Sequence, residues 1–337
     1  MPTIDEKRVY TDAAGTETVY LGSELGVLRV TVSDAVVGEF SLVYRGSVHD
    51  IATAGPYISV AADDGVLLAD HRRTSVEDGE DEPTTDELQF HNIGVGIDTA
   101  TAVEFEINDS EIIALIAGDM SGGIHRLTTP LDDVFESAER TLAAWNSVDV
   151  SSSINAIDMP LVATTDGVFE VSPDAPAGVT ISYVGLDSTH DVDAEAEPIA
   201  ATADGLYVLA NGWMSIPSIG QVSESVDIRR SSAETVRAHA VCGGSLFACH
   251  VGDTGGLVPD MGACWESVTL PITESIVAVT HSPTATYAVT TDGTLVACVD
   301  DNPDNGNKNA DEDEAEWHHR SLGVTGVVAV AVSHMYS

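Results

Sequence analysis

Seven short apolar runs in this chain break at a glycine and resume as a second apolar run. That recurrence limits the possible fold more than any other feature. Four copies are close in sequence: Ala62-Asp63-Asp64-Gly65-Val66-Leu67, Ala163-Thr164-Thr165-Asp166-Gly167-Val168-Phe169, Ala201-Thr202-Ala203-Asp204-Gly205-Leu206-Tyr207 and Val289-Thr290-Thr291-Asp292-Gly293-Thr294-Leu295. An Asp-Gly step between apolar runs signals a β-hairpin, because a tight turn needs a residue that tolerates positive φ. The marker glycines Gly26, Gly65, Gly123, Gly167, Gly205, Gly244 and Gly293 lie 38 to 58 residues apart. Units of that period cannot bury their apolar faces alone and must stack on their neighbours.

Each hairpin supplies two strands, b and c, and further runs complete a unit of four. An outer strand d is expected at Phe40–Tyr44, Leu88–His91, Leu142–Trp145, Ile181–Val184, Ser225–Ile228, Trp265–Val268 and Trp317–Arg320. Small-residue runs such as Ser153–Ile157 and Ile276–Val279 suit an inner strand a, crowded around a central axis. The expected fold is therefore all-β, a seven-bladed β-propeller with four-stranded blades, formed as a single domain over residues 1–337. The first hairpin has no preceding strand a, whereas Gly326–Val332 at the other end is a strand without a blade. Pairing the two closes the ring and removes the free sheet edges.

The long insertions Glu77–Glu82, Pro130–Arg140, Gly252–Gly262 and Asp300–Glu316 all fall between strands c and d. Every c–d connection leaves a propeller on the same face, so one face is decorated and acidic while the other carries the Asp-Gly turns. Long loops on one face are where partners bind.

The charge balance excludes some partners. Fifty-five acidic residues oppose 13 basic ones, for a net charge of −42, and only Lys7 and Lys308 are lysines. Such a surface repels phosphate backbones, and the pairs Arg72-Arg73 and Arg229-Arg230 are isolated, so nucleic acid is not an expected partner. Dense carboxylates suit strong brine, where repulsion is screened within a few ångströms. No apolar stretch reaches membrane-spanning length and the first residues show no leader pattern, so the cytoplasm is the expected compartment. The four cysteines, Cys242, Cys249, Cys264 and Cys298, match no metal or redox spacing and are expected to be buried thiols.

Few residues suggest chemistry. His49-Asp50-Ile51 and His190-Asp191-Val192 each begin a strand a, in the second and fifth blades, and would face each other across the channel mouth. Imidazole beside carboxylate can orient a metal ligand or a general base, which makes His49, Asp50, His190 and Asp191 the candidate binding residues. Polar lining of the channel is the competing role for the same four, and for His281 and His334 at the ends of other inner strands. Asp300, Asn302 and Asp304 alternate as in a calcium loop, but Gly306 and Glu312 each fall one place late for that motif. The chain has no G-x-S-x-G, no H-E-x-x-H and no phosphate-binding glycine loop, and nothing in it calls for a cofactor.

The Asp-Gly hairpins with trailing tryptophans resemble quinoprotein-like, YVTN-type and Asp-box propellers along essentially the whole chain. The arginines are too few and scattered to form the triad of Asp-box sialidases, so that activity does not follow from the resemblance. Together with the acidity, the chain is most similar to a family of haloarchaeal β-propeller proteins, a resemblance that implies a fold and no activity. The expected function is a non-catalytic cytoplasmic scaffold of a halophilic archaeon that binds a protein partner. The alternative is a metal-dependent hydrolase or lyase, or a small-ligand sensor, working in the central channel.

Overall fold

The computed structural model describes residues 16–73, 88–94, 96–108, 111–136, 144–174, 178–194, 198–217, 219, 222–230, 236–251, 264–299 and 316–333. These residues form seven antiparallel four-stranded sheets. The first blade takes its inner strand from the far end of the chain. Val327–Ser333 pairs with Thr16–Ser23, with Thr18 opposite Ser333 and Val19 opposite Val332, and Gly26–Ser33 and Val36–Arg45 follow outward. The ring is thus closed by the C-terminal strand, as the unpaired runs imply.

Period-two alternation explains why blades stack. In Thr16–Ser23, Val19 and Leu21 bury against the seventh blade with Tyr287, Val289 and Leu295. Tyr20 points the other way and packs with Val48, Ile51, Ile58 and Leu67 of the second. Each sheet therefore has two apolar faces, and seven buried clusters fill the seven gaps between blades.

All seven marker glycines sit at b–c hairpins, and in four blades a hydroxyl that ends strand b (Ser23, Thr164, Thr202 and Thr290) holds the turn. The Thr164 hydroxyl donates to Gly167 O and accepts from Asp166 N, and Thr202 does the same with Gly205 and Asp204. In the third blade the residue at positive φ is Gly122 (97°), and Gly123 is already the first residue of Gly123–Leu127.

Several expectations need correction. Ser225–Ile228 is not an outer strand. It belongs to Ser223–Arg230, the inner strand of the sixth blade, and the outer strand of the fifth is Trp213–Ser215. The error has a physical source, since Val226 and Ile228 are buried while Asp227 faces the channel, and this alternation mimics a solvent-facing strand. The third outer strand is Trp145–Asp149, and the second is only His91–Asn92. Cys249 and Cys264 are not thiols but a disulfide joining the end of strand c to the start of strand d in the sixth blade, whereas Cys242 and Cys298 are buried thiols.

The insertions do connect strands c and d. In the third blade the short helix Leu131–Glu136 occupies that connection, with Phe135 stacked on Tyr57 and Asp132 accepting from the Tyr57 hydroxyl. Residues 77–82, 252–262 and 300–315 lie outside the described residues, as does His334. Among the described residues no helix is long and apolar enough to cross a membrane.

Candidate functional site: the central channel

Each inner strand is the edge of its sheet, and its outward backbone groups have no fifth strand to pair with. Left bare, such an edge exposes donors and acceptors to the crowded axis. The sequence answers this with side chains. In every blade the pairing between strands a and b slips by one residue near the start of the inner strand. The slip leaves one residue out of register, and such a bulge re-aims its side chain.

In the third, fourth and fifth blades that residue reaches the first carbonyl of the next inner strand. The Thr101 hydroxyl donates to Ile154 O and the Asn155 amide to Thr189 O, both at 2.7 Å. Nδ1 of His190 lies 2.9 Å from Ser223 O, the same contact one blade on. His190 is therefore the fifth blade's version of a clasp that threonine and asparagine make elsewhere. His49 holds the bulge position in the second blade and pairs instead with Asp63, its Nε2 2.7 Å from Oδ1.

The residue after the bulge is an aspartate in two blades, and both work alike. Asp50 Oδ1 accepts from Ile51 N at 2.8 Å, and Oδ2 accepts from Val103 N of the third blade at 2.9 Å. Asp191 accepts from Val192 N and from Val226 N of the sixth blade, each at 2.9 Å. Two residues further along, Asp158, Asp193 and Asp227 accept from Ala194 N, Ile228 N and His281 N, each one blade on. The carboxylates form two tiers of staples across the inner edges.

All four candidate residues line one cavity of about 450 Å³ along the axis, so the structure brings them together. It also adds Glu104, Asp158, Asp193, Glu224 and Asp227 to the lining, with no lysine or arginine among the residues there. A signal existed for Asp193 alone, which stands two residues after Asp191 in Asp191-Val192-Asp193.

Crowding of carboxylates has an electrostatic cost. Desolvation pushes the Asp191 carboxyl up to about 7; the Val226 N–H pulls it back and Asp50 across the channel adds to the push. Desolvation likewise raises Asp50 to about 6, against the pull of the Val103 N–H. Glu104 is held well above the ordinary range by desolvation, then by the charges of Asp158 and Asp50. Chemically, this lining can store protons or attract positive charge. Among the described residues no three His, Cys, Asp or Glu side chains gather closely enough to hold a metal ion.

Residues 3–333 match the family described as "Beta-prop_HVO_0234:-like, beta propeller", and the chain belongs to that family. No curated protein matches the sequence significantly. Solved structures share the fold at low identity. A putative 6-phosphogluconolactonase from Bacteroides uniformis aligns with a TM-score of 0.60 at 10% identity, over 95% of this chain and 100% of that one. A protein from Lactobacillus plantarum gives 0.59 at 10% identity, over 94% and 99%. Sqt1 from Saccharomyces cerevisiae gives 0.50 at 11% identity, over 93% and 90%. At such identities the likeness establishes the propeller and nothing about activity.

Proposed function

We propose that this propeller, one domain across residues 1–337, is a non-catalytic interaction scaffold that presents one face to a protein partner in the cytoplasm of a salt-adapted cell. The observation that carries this reading is the a–b hairpin of the third blade. Its strands, Ala100–Asn108 and Glu111–Asp119, are nine residues each, and the inner one is the longest in the ring. Near its tip Ile107 and Ile113 are 51% and 46% exposed. Antiparallel order puts this tip on the same face as the c–d connections.

On a chain of net charge −42, this hairpin places two exposed aliphatic side chains close together in the sequence. In strong salt, where charge is screened, apolar contact is the attraction that persists. The channel fits the same reading, because Oδ2 of Asp50 and of Asp191 accepts from a backbone N–H of the next blade and so ties the inner strands together.

The test is co-purification of the tagged protein from its native cell in molar KCl, in parallel with an Ile107→Glu/Ile113→Glu variant. The reading expects a stoichiometric protein with the parent chain and its loss with the variant. A parent chain that emerges alone, or a partner that the variant keeps, contradicts it.

A further inference from the structure

We propose that the central channel binds a compact organic polycation, a molecule with two or more ammonium groups a few ångströms apart. Charge is the first argument. The carboxylates of five successive blades, the second to the sixth, converge on one cavity with no lysine or arginine among the lining residues, and a ligand that brings positive charge complements it.

The placement of the carboxylates selects the kind of cation. They stand in tiers around the wall, most of them tied to their own or the next inner strand while Glu224 also reaches Gly243 and Gly244, and among the described residues no three gather around one point. A bare divalent ion needs several oxygens within about 2.6 Å of one centre. Ammonium groups along a chain need one or two acceptors each, at separate places. Each carboxylate offers about four lone-pair sites, and the staples of Asp50 and Asp191 use two apiece. Acceptor capacity therefore faces the cavity.

A second observation points to an occupant. His281 ends the inner strand of the seventh blade and lines the cavity with its side chain only 2% exposed. Its Nε2 lies against Nδ1 of His239, but its own Nδ1 is buried without a hydrogen bond. That atom sits 3.3 Å from Asp227 Oδ2, off a bonding line, and the same oxygen is already engaged by the His281 backbone N–H. Buried ring nitrogens are rarely left so. With Nε2–H of His281 donated to His239, Nδ1 is an acceptor, and an ammonium donor beside it and Asp227 would satisfy both. The cavity, at about 450 Å³, admits a linear triamine.

The experiment is calorimetric titration with spermidine, with MgCl2 and with KCl at matched ionic strength, plus the melting temperature under each. A polycation also binds loosely to any strongly acidic surface, so variants must decide. Glu104→Gln removes a channel carboxyl that could ionise against a bound ammonium; among the described residues its hydrogen bond is to the neighbouring Phe105 N, and so the variant should fold. Asp34→Asn removes an exposed charge in the c–d turn of the first blade. The proposal expects one spermidine per chain, weakened about tenfold or more by Glu104→Gln, as for the loss of one charge-assisted hydrogen bond. Asp34→Asn should leave it unchanged. Should Glu104→Gln fail to fold, His281→Phe serves as the second variant with the same expectation. Many weak sites, equal effects of both variants, or binding of Mg²⁺ as tight as that of spermidine would each overturn the proposal.

Discussion

Replacing Asp191 with asparagine should make the protein more stable above neutrality and less stable in mild acid. Asp191 titrates near 7 in the fold, up from 3.8, because desolvation and the charge of Asp50 outweigh its hydrogen bonds. An acid whose pKa is raised by folding binds its proton more tightly in the native state. Its contribution is complete below the unfolded value and is lost as pH climbs through the folded one. The window runs from about pH 4 to 7. A shift of roughly three units corresponds to about 4 kcal/mol, an upper bound because the channel admits solvent. For a chain of this length that is a fall in Tm of about 6 °C. Asp50, raised to about 6, adds to the slope, though by less than its own shift, since the two carboxylates share their repulsion. Glu104, Asp158 and Glu224 also face this space, and His49 and His190 lie at the bulges beside the pair. Asparagine keeps one acceptor and loses the other, which costs about 1–2 kcal/mol at every pH. The melting curves of parent and Asp191→Asn should therefore cross between pH 5 and 8, and the parent's decline should lessen in the variant. Thermal unfolding at constant ionic strength reads this directly. Parallel curves with the variant always lower would refute the reasoning, for they would mean that the carboxylate is ionised throughout at no cost.

Two further outcomes follow from local geometry. Reducing the Cys249–Cys264 bridge, whose cysteines are 15 residues apart, should cost about 3 kcal/mol; differential scanning calorimetry with and without reductant measures it. Alkylation of the unfolded, unreduced protein should label two cysteines, Cys242 and Cys298, and four labels would contradict the pairing. Gly26→Ala should destabilise by about 2–4 kcal/mol, because φ there is +141° and a Cβ would run into the Tyr44 carbonyl. Denaturant unfolding checks this, and a loss under 1 kcal/mol would show that the turn can relax.

Much of the ring was legible in the sequence because hairpins are local. Glycine tolerates positive φ best, so the glycines located seven hairpins, with Gly122 rather than Gly123 at the positive φ in the third blade, and the complementary ends at Thr16–Ser23 and Val327–Ser333 announced the closure. What failed depended on distant neighbours. Ser225–Ile228 alternates like a surface strand, but its polar side faces the channel and takes part in the staples between blades. His190 stands beside Asp191 in sequence, and the contact it makes, with Ser223 O 33 residues away, could not be read from its neighbours. The bulge that aims it leaves no mark on composition, because threonine, asparagine and histidine fill the same position in successive blades. Cys249 aligns with Cys298 in the repeat, and that equivalence hid its pairing with Cys264 across the c–d connection.

The scaffold reading is tested most directly by amide hydrogen exchange on the protein alone and on the assembly recovered from its own cells in molar KCl. The account predicts slowed exchange in the third blade at Ala100–Asn108 and Glu111–Asp119, near Ile107 and Ile113, with the opposite Asp-Gly turns unchanged. Protection at the turns around Gly65, Gly167 and Gly205, or identical exchange in both samples, would contradict it.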